Sequence, residues 1–198
     1  MTPKRLLQTA IFIITLFATL TIAIFPAYAA APALPEFNSF VKTSTIGMPG
    51  MVSGVYVDGL FALNVVQQPK NNAGYVSKTE NMLTEFRNAR QMRNVGLLAH
   101  NYLAGQYFSE LKVGQIVRVV YGDGKTEKFI ITDVSQYQAV SPESPYSDFI
   151  DLKSGEQTNA ERLFKKVYGG PHHLTLQTCI SKEGNLSWGR LFITGMPA

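Results

Sequence analysis

Three turn signals, Asp58-Gly59, Gly122-Asp123-Gly124 and Glu183-Gly184-Asn185, each separate two short runs rich in β-branched and aromatic residues. The flanking runs are Val55-Tyr56-Val57 with 60–66, 115–121 with 128–140, and 174–180 with 187–194. Gly and Asp fill the tight-turn positions that most side chains avoid, so each triplet reads as two antiparallel strands joined by a hairpin. Three hairpins argue for an antiparallel sheet or a closed barrel. No internal repeat or low-complexity tract competes with that reading.

Helices interrupt the strands. Ser77-Lys78-Thr79-Glu80 is a capping-box pattern, and Met82, Leu83, Phe86 and Ala89 follow on one helical stripe. Thr158-Asn159-Ala160-Glu161 is a second such box, with Leu163, Phe164 and Val167 as its apolar face. Gly169-Gly170-Pro171 ends that helix, Gly for a left-handed cap and Pro to forbid continuation. A shorter helical turn is expected over residues 102–111.

The N-terminus is set apart from the fold. Lys4 and Arg5 precede an uncharged stretch over residues 6–25, and Ala27-Tyr28-Ala29 is a small-x-small cleavage pattern. As a helix that stretch spans about 30 Å, enough to cross a bilayer. Residues 1–29 therefore read as a cleaved signal peptide or a retained anchor. In both cases the leading charges hold the N-terminus in the cytoplasm and send the rest outside. Contact with the membrane is expected only through this segment. Residues 30–50, rich in Ala, Pro, Ser and Thr, read as a tether, and 51–198 as one domain. Loss of Lys4 and Arg5 lowers the formal net charge from +4 to +2. With no Lys/Arg run, that surface has no pull toward nucleic acid.

Cys179 is the single cysteine, in a chain expected to leave the cell. Exported cysteines normally pair, so this one is buried and inert, paired between molecules, or chemically used. On a strand, Leu174, Leu176 and Thr178 share one face, while Thr175, Gln177 and Cys179 share the more polar one. A thiol near its ordinary pKa of about 8.5 is only a few per cent thiolate at neutral pH and needs a basic or cationic neighbour to attack an acyl carbon. His173 stands six strand residues from it, about 20 Å, and His172 is farther. Both are expected in solvated loops. His100 can reach the thiol only through the fold. It reads either as the proton carrier or as a hydrogen-bonded histidine at a strand end. Arg190 lies in an apolar run and needs an anion, a cleft or the sheet rim, because burying it unpaired is costly. It reads as a rim salt bridge or as a fixed fork aimed at a developing oxyanion. The three histidines and the cysteine lack metal-ligand spacing, so no metal or other cofactor is expected.

Thr175-Leu176-Gln177-Thr178-Cys179 matches the Thr-Leu-x-Thr-Cys signature around the sortase nucleophile. Arg190 in the next strand, the segment Ala99-His100-Asn101 and the order His, Cys, Arg also resemble that family. The resemblance spans roughly residues 50–196. It implies a mainly β fold, a closed antiparallel barrel of about eight strands with short helices in its loops. It implies a cysteine transpeptidase that cleaves a Leu-Pro-x-Thr-Gly-like sorting signal on a surface protein through a thioester. The acyl group then passes to an amine of cell-wall peptide or a pilin lysine. By this resemblance Cys179 is the nucleophile, His100 the acid and base, and Arg190 the oxyanion and substrate ligand. Thr178 and Asn101 are the substrate-binding candidates. The loop over residues 141–173, with its helix, corresponds to one that helps read the signal and is similar to class B members. Two other readings stand beside it: an exported binding module with a structural Cys179, and a cysteine peptidase that transfers to water.

Overall fold

The computed structural model describes residues 33–198. The expected export segment, residues 1–29, lies outside them. Eight strands close into a barrel: β1 (Met48–Val57), β2 (Phe61–Gln67), β3 (Met82–Glu85), β4 (Val95–Leu98), β5 (Ile116–Gly122), β6 (Thr126–Ala139), β9 (Leu174–Lys182) and β10 (Asn185–Pro197). Round the barrel they run β10-β9-β4-β3-β2-β1-β5-β6, and β10 pairs with β6 to close the ring. Two short strands, β7 (Phe149–Asp151) and β8 (Gln157–Thr158), extend outward from the C-terminal half of β6.

All three expected hairpins are present as β1–β2, β5–β6 and β9–β10. In the last, Glu183 and Gly184 both take positive φ, 52° and 81°, the conformation a two-residue hairpin turn requires. The closed eight-strand barrel agrees with the sequence reading, but the sheet is mixed rather than antiparallel. β2 pairs parallel with β3, and β4 pairs parallel with β9. Neither contact involves strands joined by a turn, so turn chemistry carries no sign of them.

Four helical pieces decorate the barrel: α1 (Phe37–Ser44), α2 (Arg87–Gln91), a 3-10 helix (Ala104–Glu110) and α3 (Ala160–Tyr168). The 3-10 helix fills the short helical turn expected there. In place of the helix expected from Ser77 stand a turn, the strand β3 and the short helix α2. Leu83 enters the barrel core, whereas Phe86 and Ala89 pack in a separate cluster outside it. The same apolar spacing thus serves a strand followed by one short helix. Ser77 makes a local turn, its Oγ accepting from Thr79 N, instead of capping a helix. For α3 the cap is Asn159, not Thr158: its side chain accepts from Arg162 N at 2.9 Å. Most of the expected tether's C-terminal half is also ordered onto the barrel. Phe37, Phe40, Val41 and Ser44 form one stripe of α1, Phe40 is buried, and the Phe40 ring packs 5.7 Å from Tyr56. Composition hid that stripe. Gly54 makes room for it, since a Cβ there would stand 2.8 Å from Phe40 Cζ.

Two cores result. Leu174, Leu176, Leu191 and Ile193 fill the barrel with Phe61, Phe108 and Phe129. On the outer face of the same two strands, Phe192 packs with Tyr137, Phe149 and the α3 residues Leu163, Val167 and Tyr168.

Candidate active site

The alternation of β9 that buries Leu174 and Leu176 turns Gln177 and Cys179 to the outer face. Cys179 is half-buried and is a free thiol. Arg190 of β10 is its direct cross-strand partner, so their backbones lie about 5 Å apart. On the other side β4 runs parallel to β9, with Leu98 level with Gln177. Ala99 N extends that ladder to Gln177 O at 3.1 Å. One further step brings His100 level with Cys179, one strand spacing away and on the same face. The three residues that the sequence singles out therefore fall in a row, His100 two residues past the end of β4, Cys179 on β9 and Arg190 on β10.

Local bonds hold His100 at the strand end. Its carbonyl accepts from Leu103 N and Gly105 N, both at 3.0 Å, which turns the chain sharply into the 3-10 helix. Thr178 Oγ1 donates to Ala99 O at 2.9 Å. The Asn101 amide donates to Ser181 Oγ at 2.6 Å and Leu186 O at 3.0 Å, pinning the turn to the β9–β10 hairpin. Gly105 is tight here: a Cβ on it would fall 2.3 Å from Thr178 Oγ1 and 2.7 Å from His100 O. Tyr102 stacks on the His100 ring, centroids 5.1 Å apart and planes 22° from parallel. Thr178 and Asn101 thus serve to fix the imidazole-bearing turn, and both line the cavity beside the thiol.

Arg190 makes no rim salt bridge. Its Nη1 donates to Ser187 O (2.8 Å) and Gly189 O (2.9 Å), and its Nη2 to Pro142 O (3.4 Å). Among the described residues no carboxylate pairs with it. The guanidinium carries five N–H donors, so two remain for a ligand, and its charge is not neutralised.

Two cavities meet this row. On the outer face a 310 Å³ cavity is lined largely by aromatic and aliphatic side chains, Phe86, Phe149, Phe164, Tyr168 and Phe192 among them, with Gln177 and Arg190 at the strand side. Burial pushes the Tyr168 phenol well above its ordinary range, so it stays protonated and donates to Gln177 Oε1. A second cavity of 260 Å³ lies at the mouth of the barrel, lined by Cys179, Gly105, Gln106, Gln136, Thr178 and Ser181. Apart from Cys179, Thr178, Asn101 and Arg190, the linings were not read from the sequence, because their side chains come from segments scattered along the chain.

The other two histidines stand at the far end of β9, as their spacing requires; His172 is exposed in the loop as expected, but His173 is not solvated. His173 is buried, with Nδ1 2.7 Å from Pro171 O and Nε2 3.0 Å from Val167 O. It locks the end of α3 to β9, a role set by backbone carbonyls that no spacing rule announces. His172 contacts Arg93 O at 2.7 Å and the Glu127 carboxylate at 2.9 Å. Among the described residues no group of three or more His, Cys, Asp or Glu side chains gathers as a metal site. No helix of the described residues is long and apolar enough to cross a membrane.

No family model matches the chain, and no curated protein matches it. Among solved structures it is similar to sortase A from Corynebacterium diphtheriae, with 14% identity and a TM-score of 0.50 over 75% of this chain and 60% of that one. Sortase A of Listeria monocytogenes follows at 13% identity and a TM-score of 0.47, over 75% and 87%. Sortase C from Clostridium perfringens gives 12% identity and a TM-score of 0.46, over 77% and 72%. At these identities the likeness is one of fold: the chain has a sortase-like barrel.

Proposed function

We propose that this barrel is an exported cysteine transpeptidase acting on a Leu-Pro-x-Thr-Gly-like sorting signal of a surface protein. The carrying observation is the row itself: Cys179 directly opposite Arg190, His100 just past the end of β4 on the other side, and Arg190 lining the apolar cavity. The signal lies in that cavity, its apolar side chains against the aromatic lining. Cys179 Sγ attacks the threonine carbonyl carbon as its thiol proton passes to His100. Arg190 offers its two remaining donors to the peptide and to the oxyanion, charge that develops in the transition state. As the C–N bond breaks, His100 gives a proton to the departing amine, leaving a thioester on Cys179. An acceptor amine then attacks the thioester and passes its proton to His100. The C–S bond breaks, the new amide leaves, and the thiol is restored. The acceptor is an amine of cell-wall peptide or a pilin lysine. The N-terminal segment supports action at the outer face of the membrane or in secreted form.

Intact-mass spectrometry with a sorting-signal peptide tests this. The wild type is expected to gain the acyl mass, and Cys179→Ala to gain none while keeping its melting temperature. An adduct on Cys179→Ala, or none on either protein with any peptide of a cleavage library, overturns the assignment. Product that forms equally with and without an amine identifies transfer to water instead.

A further inference from the structure

β6 has a gap in strand pairing along one side. β5 accompanies β6 only to Ile130, with Ile131 N donating to Gln115 O and Gly114 N donating to Ile131 O, and β7 joins only from Tyr137. Between them, past a bulge at Thr132, residues 133–135 of β6 pair with β10 on one side and with no strand on the other. Leu152 N donates to Gln136 O at 2.9 Å, so the main-chain groups of Gln136 face the open side. Alternation then turns the N–H and C=O of Val134 to that side as well. A 540 Å³ cavity follows the gap, lined by Asp133, Val134, Gln136, Asp151, Lys153 and Lys166. Lys166 is engaged by Tyr137 OH and Asp151, whereas Asp133 has no ion-pair partner among the described residues. Gln136 lines this cavity and also the cavity that touches Cys179. In register Gln136 faces Leu191, which faces Thr178, so it stands two strand spacings, about 10 Å, from the cysteine strand.

Resting on the transpeptidase reading above, we propose that the amine acceptor is an extended peptide that docks on the open edge of β6 and reaches the thioester past Gln136. Main-chain bonds to Val134 hold the peptide as a short added strand. Asp133 attracts its ammonium group. The lining next to Cys179 mixes amides and hydroxyls with Ile180 and Leu191 and carries no charged side chain, so the amine meets only neutral groups there. The acyl donor occupies the apolar cavity on the other face of the strand. Donor and acceptor thus meet at Cys179 from opposite faces, and the first need not leave before the second arrives.

Val134→Pro deletes only an N–H that points to the open edge, a place where sheets tolerate proline. With a sorting-signal peptide as donor and a lysine-bearing ten-residue peptide as acceptor, this variant is expected to raise the acceptor KM up to about tenfold, since one main-chain bond is lost. Hydrolysis of the donor without acceptor is expected to stay at the wild-type rate. A second arm leaves the enzyme untouched: the same acceptor, N-methylated at alternate residues, is expected to lose the same factor, and free glycinamide to be a poor acceptor in every case. An unchanged acceptor KM in both arms, or glycinamide as good as the peptide, overturns edge docking. Failure to form the acyl-enzyme at all would instead overturn the transpeptidase reading.

Discussion

Thr178 and Cys179 are neighbours in one strand and belong to two environments. The inward face of β9 and β10 is packed over most of its length: Leu174, Leu176, Leu191 and Ile193 are buried, and the Thr178 hydroxyl is spent on Ala99 O. The outward face buries Phe192 beneath α3 but leaves Cys179 and Arg190 half-open, beside a cavity and with unused donors. Both faces use the same two strands and the same register. The inward residues set where the backbone lies, and the outward ones receive positions from it. Stability and chemistry are therefore expected to separate by residue parity, and substitutions can break that separation.

The largest effect is expected at His100. His100→Ala removes the group proposed to carry protons, and turnover is expected to fall about 10²- to 10⁴-fold with an unchanged melting curve. His173→Ala strips two contacts that lock α3 to β9 and is expected to lower stability by about 1–3 kcal/mol. Turnover per folded molecule should survive it. Steady-state transpeptidation beside urea unfolding separates the two, and a His173 variant as inactive as the His100 variant would break the comparison.

Arg190→Lys comes next. Lysine keeps the charge but replaces a planar fork, held by three carbonyls, with a mobile and more strongly hydrated point charge. Turnover is expected to fall by one or more orders of magnitude, each factor of ten being about 1.36 kcal/mol of barrier. The melting temperature should barely move, because the lysine stem still covers the rim. Near wild-type turnover would leave Arg190 a structural cation.

Gly105→Ala tests whether the packed side governs the reactive one. The added methyl would overlap Thr178 Oγ1 and the His100 carbonyl, so the turn must shift. A stability loss of about 1–3 kcal/mol is expected, with a fall in turnover smaller than that of His100→Ala. Thiol alkylation of Cys179 should keep its wild-type rate. A variant stable and fully active would show that the turn does not depend on this contact.

Much of this was legible in the chain. Turn residues marked the three hairpins, and strand parity placed Cys179 on the face that proved open, because both signals are local. What escaped depends on contacts distant in sequence. The parallel β4–β9 pairing, which brings His100 level with Cys179, joins segments about eighty residues apart. β3 escaped because Leu83 and Ala89 serve different cores. α1 escaped because a Pro- and Ala-rich composition outweighed its apolar stripe. The cavity linings escaped because no single segment supplies them.

The smallest effect is expected at the barrel end away from the row. Glu85 is 4% exposed, and its Oε2 has no hydrogen-bond partner; Arg90 Nη1 stands 3.8 Å off. Burial pushes its pKa above the ordinary glutamate value, and Arg90, Gln67 and Val52 pull it back only in part. Between the ordinary value and the raised one, the folded carboxyl holds a proton that the unfolded one has lost. Folding takes up that proton, so stability falls as pH rises through this window and stays lower above it. Glu85→Gln removes the titration and keeps the shape. Its stability relative to the wild type should be level at acid pH and rise toward neutral pH, with transpeptidation unchanged throughout. Urea unfolding at stepped pH checks the sign. If the glutamine variant lost stability as pH rose, the Arg90 pair would outweigh burial, and this end of the barrel would be held by a charge rather than burdened by one.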